Sequence, residues 1–179
     1  MNIGISLGKN CDSAEYGVNH GIRLRNENGY NTCPFDLCVT HLKGVVECLK
    51  DDFKYFCNPE HLAVINYSID DLKVVNSRIG EELIKNTYYN FIFNHESPGH
   101  TTFYTTQNWL GGKYHFVNNN FKLFIERYER RINNFRIYLK TPNAIISFIL
   151  KKELNDELDE LNAVLSEKYP ELNYKIILI

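Results

Sequence analysis

The chain has 179 residues, 44% of them apolar and 13% aromatic, which is enough to bury a real core and excludes a disordered segment or a small stapled scaffold. Its 20 basic and 22 acidic residues leave a net charge of −2, so no basic surplus exists to drive nucleic-acid or anionic-membrane binding by counterion release. Five cysteines, an odd number without regular spacing, fit free thiols in a reducing compartment, and no apolar run of about 18 residues is available to span a membrane.

The opening MNIGISLGKNCDSAE carries neither the basic stretch nor the long apolar run of an export signal, so a cytoplasmic protein is expected. Ile3, Ile5 and Leu7 alternate on one face of a strand over residues 2–7, Gly8 breaks it, and Asn10 caps a helix with Asp12 and Glu15 in its first turn. Cys11, Ala14, Val18 and Ile22 stand at helical spacing and predict that helix's inner row. Pro34 forces extended or turn geometry on Cys33 in the segment Tyr30 to Leu37, and a short helix is expected over residues 41–50. Residues 61–67 and 88–93 read as strands. The stretch from Ser97 to Gly112, with Pro98 and three glycines, reads as a long functional loop.

Phe121, Phe124, Tyr128, Ile132, Phe135 and Leu139 recur every three or four residues, which predicts an amphipathic helix ended by Thr141-Pro142. Residues 144–150 are nearly all apolar, as in a strand covered on both faces, and Leu154, Leu158, Leu161 and Leu165 predict a second helix closed near Pro170. A further buried-type strand begins at Tyr174. The sequence ends inside it, which allows the natural protein to continue beyond Ile179. No repeat or linker divides the chain. Helix, strand, helix and strand with short connections imply parallel pairing. The expectation is a single α/β domain over residues 1–179, a mostly parallel sheet with helices packed on it in a Rossmann-like three-layer arrangement.

Cys11 falls where the first strand gives way to a helix. Unsatisfied N–H groups, the positive end of the helix dipole and Lys9 should there favour thiolate. A strand–turn–helix nucleophile is a recurring catalytic design, although the same spacing also suits a small buried apolar residue. Among the histidines, His95 follows the strand at 88–93; were that strand parallel to the first, its end would lie on the Cys11 edge. His20 is nearly three helical turns from Cys11, and His100 and His115 are weaker alternatives. Asp36 is placed either to orient the imidazole or to cap its own turn. The N–H groups from Gly8 through Lys9, Asn10 and Asp12 are candidates for an oxyanion hole.

Cys38-x-x-His41 and Cys57-x-x-x-His61 have finger-like local spacing, but no complete metal motif is present and no metal is expected. Trp109, with Tyr104 and Gln107, could stack a sugar or pack on the core. Arg127, Arg130 and Arg131 suit either a solvated helix face or an anion site.

The stretches ISLGKNCDSAEYGV, GIRLR, TCPFDLCVTHLKGV and DDFKYF together resemble the N-terminal signature of a bacterial and viral family known as putative papain-like cysteine peptidases. That signature runs roughly S-L-G-x-x-C-x-x-A, then L-R, then x-P-F-D-W. ERYERRINNF and the following AIISFIL are similar to the family's later helix and strand. The sequence departs at Leu37, where Trp is usual, and at Cys33, where a small residue is common. The resemblance implies that Cys11 is the nucleophile and that Asp36 and His95 share its site. Papain itself is an α+β protein, whereas the periodicity here reads as α/β.

Three functions compete. The leading one is a cysteine-nucleophile hydrolase or transferase acting on a peptide or acyl substrate, which needs no metal or organic cofactor. The alternative is a carbohydrate-active enzyme or sugar-nucleotide-binding domain in surface-polysaccharide formation, with Trp109 and the arginines as ligand contacts. A catalytically inert binding domain is the third.

Overall fold

The computed structural model describes residues 1–100, 109–152 and 155–179. Near its centre lies a three-stranded parallel sheet of order β1-β5-β6, with β1 (Asn2–Ser6) at one edge, β5 (Ile145–Leu150) in the middle and β6 (Tyr174–Leu178) at the other edge. The apolar run of β5 suits a central strand because both its faces are covered. Ile149 faces helix α1 (Asp12–Asn19), where Gly17 approaches so closely that a β-carbon would sit 2.6 Å from Ile149 Cδ1. Phe148 points the other way, toward Phe135 of α3 (Asn118–Leu139), at 6.4 Å between ring centroids. Leu161, Val164 and Leu165 of α4 (Asn155–Lys168) join that same core, and α2 (Leu42–Lys50) packs against α4.

The aromatic content is concentrated here. Phe35 is fully buried and contacts Phe53, Phe56, Phe91 and Phe135, mostly edge to face. Each such pair contributes about 0.5–1.5 kcal/mol beyond its area. The Phe of Pro34-Phe35-Asp36 is therefore the anchor that holds this turn against the core.

The expected mostly parallel sheet is corrected in part. A second, antiparallel sheet holds β2 (Leu62–Asn66), β3 (Glu82–Asn86) and β4 (Phe91–Ile92) in the order β2-β3-β4. The fold is thus a mixed α/β domain in which, among the described residues, only three strands are parallel, and a Rossmann-like three-layer arrangement is not established. The strand expected over 88–93 shrinks to two residues because Asn86 Oδ1 accepts the N–H groups of Tyr88 and Tyr89, which makes 87–90 a turn. Strand β6 is an edge strand with half-exposed side chains instead of a buried one, since no strand covers its outer side among those described.

Candidate active site

The turn between β1 and α1 is locked from several directions. Gly8 has φ +100°, and a β-carbon there would lie 1.7 Å from Thr40 Oγ1, so only glycine fits. Thr40 in turn donates from Oγ1 to the Leu7 carbonyl at 3.2 Å and from its N–H to the Lys9 carbonyl at 3.2 Å. Ser13 Oγ donates to the Gly8 carbonyl at 2.6 Å, and Asn10 Oδ1 accepts the Asp12 N–H at 3.0 Å to start the helix. The buried residues of α1 are Ser13, Ala14 and Gly17. That face is rotated from the expected row of Cys11, Ala14, Val18 and Ile22, so Cys11 is half-buried at a cleft wall and not part of the core.

The cleft has a volume of about 350 Å³, and Cys11, Glu15, Arg23, Arg25, Leu37 and His95 line it. Cys11 and His95 therefore share one cavity, but not by the route the sequence suggested. His95 sits in the 3₁₀ turn Asn94–Glu96 that follows β4, and β4 belongs to the antiparallel sheet. The two walls are joined by a bridge in which the Val39 N–H donates to the Ile92 carbonyl at 2.7 Å and the Ile92 N–H returns to Val39 at 3.0 Å. This bridge sets Leu37 beside the turn that carries His95.

Charge in the cleft departs from the expectation of an activated thiolate. Burial, then Glu15 and Asp12 in the first helical turn, push the Cys11 thiol up from its ordinary value, and Lys151 opposes this only in part. Lys151 is ion-paired to Asp12. Burial lowers the His95 imidazole to about 4; Glu96 works against that, while Arg131, Arg127 and His100 reinforce it. The resting pair at neutral pH is a thiol and a neutral imidazole.

Asp36 does not take the orienting position proposed for it. It is fully buried and accepts from Arg23 Nη1 at 2.9 Å, Tyr30 OH at 3.0 Å and the Cys33 N–H at 2.7 Å. These three donors fix the carboxylate, and it holds Arg23 in the cleft wall. The guanidinium of Arg23 also stacks over the Tyr30 ring at 4.1 Å. Two of the proposed oxyanion donors are occupied as well, Gly8 N–H by Ser6 Oγ at 3.1 Å and Asp12 N–H by Asn10. Lys9 is exposed at the turn. Among the described residues the Asn10 N–H takes no partner, and the Cys11 N–H lies against its own sulfur.

The arginine cluster is not an open anion site. Glu96, fully buried, accepts from Arg131 Nη1 at 3.1 Å and Tyr128 OH at 3.0 Å and pairs with Arg127 Nε at 3.2 Å. Arg130 is exposed on the helix surface. Trp109 stacks on His115 and meets Phe116 edge-on against the core, away from the Cys11 cleft. Tyr104 and Gln107 lie outside the described residues. His20 stacks on Tyr16, and His100 Nε2 lies 2.8 Å from Ser77 Oγ and 3.1 Å from Glu81. Of the finger-like residues, Cys38 donates to the Pro34 carbonyl and His41 Nδ1 accepts the Gly44 N–H to cap α2.

Sequence reasoning missed Arg23, Glu15, Glu96 and Lys151. The segment Gly21 to Arg25 lies next to the candidate helix and held the signal for Arg23; nothing local marked Glu96 as buried.

A family model described as "Putative papain-like cysteine peptidase (DUF1796)" matches residues 3–179. No curated protein and no solved structure matches the chain.

Proposed function

Since the chain belongs to the putative papain-like cysteine peptidase family, we propose that it is a cysteine peptidase or related acyl hydrolase or transferase with Cys11 as nucleophile and His95 as general base. The observation that carries this reading is the single cleft lined by both residues. The neutral imidazole accepts the Cys11 proton as sulfur attacks the substrate's acyl carbon, and the Asn10 N–H is the donor offered to the developing oxyanion. The imidazolium then protonates the leaving group as the carbon–leaving-group bond breaks, which leaves a thioester on Cys11. Water attacks that thioester, or an acceptor does in a transferase; His95 takes the incoming proton and returns it to sulfur. Asp36 is a positioning residue that acts through Arg23. No metal or organic cofactor is required by these steps.

The experiment is a screen of fluorogenic peptides and acyl thioesters with the wild-type chain and with Cys11→Ala, His95→Ala and the double variant. Turnover should vanish with Cys11→Ala, and the double variant should be little worse than either single change, because groups acting as one unit are non-additive. Turnover that survives Cys11→Ala would overturn the assignment.

A further inference from the structure

Arg23 is more deeply placed than a surface cation. Its side chain is only 7% exposed, yet it lines the Cys11 cleft. Nη1 is committed to Asp36, while Nε is buried and has no hydrogen-bond partner among the described residues. An orphaned buried donor is costly unless an acceptor fills it. The Nε edge of a guanidinium is also a fork suited to a carboxylate. Arg25 lines the same cleft and is exposed. Against these two cations the lining contributes one carboxylate, Glu15; Asp36 lies fully buried behind Arg23.

We propose that Arg23, assisted by Arg25, binds a carboxylate of the substrate within the Cys11 cleft, so that the preferred acyl substrate is anionic next to the scissile carbonyl. This deepens the reading of Cys11 as nucleophile and rests on it. The carboxylate could be a peptide's C-terminal group or an acidic side chain; the same fork accepts both. Asp36 keeps the guanidinium fixed and partly compensated, which lowers the cost of holding it buried before the substrate arrives. Binding supplies the missing acceptor for Nε.

The test uses the full chain and two small alkylating reagents that differ in charge. Site-resolved mass spectrometry gives the ratio of the rates of Cys11 alkylation by iodoacetate and by iodoacetamide, folded and in urea. The folded ratio should exceed the unfolded one by about tenfold, as expected for a charge-assisted contact. Arg25→Gln should reduce that excess, and Arg23→Lys, which keeps the charge but removes the fork, should remove most of it. Independently, the ¹⁵N resonance of Arg23 Nε, identified by its loss in Arg23→Lys, should shift on titration with a carboxylate. A response to N-acetylalanine identifies a C-terminal group, and a response to N-acetylglutamate amide identifies a side chain. Equal folded and unfolded ratios with an unmoved Nε resonance would overturn the proposal. Charge selectivity without an Nε response would overturn the assignment to Arg23. Failure of both reagents to label Cys11 would count against the nucleophile itself, and the Nε titration then decides the carboxylate site alone.

Discussion

Acidification should destabilise this fold through His95 before most carboxylates titrate. The ring's ordinary value is 6.5 and burial lowers it to about 4. Between those limits the unfolded chain binds a proton that the folded chain refuses, so the contribution is fully favourable above about pH 6.5 and is lost as pH falls toward 4. At about 1.4 kcal/mol per pH unit the interval amounts to roughly 3 kcal/mol, nearer 2 after allowance for the part of the ring that faces solvent. Glu96, Arg127, Arg131 and His100 all contribute to the environment of the ring, so wild type must be compared with His95→Gln, in which those groups remain. Urea unfolding at steps from about pH 7.5 to 4 should give two curves that run parallel above about pH 6.5 and then converge or cross as the wild type loses its roughly 2–3 kcal/mol. Parallel curves throughout would refute the lowered imidazole.

Asp36→Asn should destabilise by about 3–5 kcal/mol in urea titration, because it leaves the buried Arg23 guanidinium without its carboxylate; a change below about 1 kcal/mol would mean that Arg23 finds another partner. Glu96→Gln should cost a similar ~3–5 kcal/mol by the same measurement, since Arg131 is only 4% exposed. Glu15→Gln should raise the rate of Cys11 alkylation by iodoacetamide about twofold near neutral pH, because it removes a charge that opposes thiolate; a slower rate would reverse the sign assigned to Glu15. In the wild type that rate should climb steadily through the alkaline range, and a plateau already present near pH 6 would indicate a preformed thiolate–imidazolium pair.

The parts of the fold that the sequence made legible are those whose pattern is dictated by one neighbour. Strand β5 is apolar on both faces because helices cover both, and α3 shows its core row because one side of it meets one core. The antiparallel sheet was less visible. In β3, Glu-Leu-Ile-Lys-Asn buries Leu83, Ile84 and Asn86, so its inner face is neither a run nor a clean alternation. The aromatic stretch at 88–93 looked like a full strand, yet the Asn86 side chain captured two backbone N–H groups and turned the chain. A side-chain hydrogen bond of this kind competes directly with ladder bonds and leaves no periodic trace.

The site was legible in its residues and not in their electrostatics. Gly8, Cys11 and the Pro34-Phe35-Asp36 turn are local features with local reasons. The partnership of Asp36 with Arg23 depends on folding the end of α1 against that turn, and the burial of Glu96 depends on Tyr128 and Arg131 arriving from α3. The expectation of a thiolate rested on the helix terminus and on Lys9. In the folded chain the same terminus carries Asp12 and Glu15, which stabilise the helix dipole but oppose a negative charge on sulfur. With the imidazole lowered as well, the cleft disfavours charge on both reacting groups at rest. Proton transfer from Cys11 to His95 then belongs to the moment of attack, when charge moves from sulfur onto the substrate oxygen and a backbone N–H can meet it. A neutral pair also avoids the desolvation cost of two buried charges in the absence of substrate. The cleft's positive charge resides on Arg23 and Arg25, which outnumber the single lining carboxylate, Glu15, and a substrate carboxylate can use it.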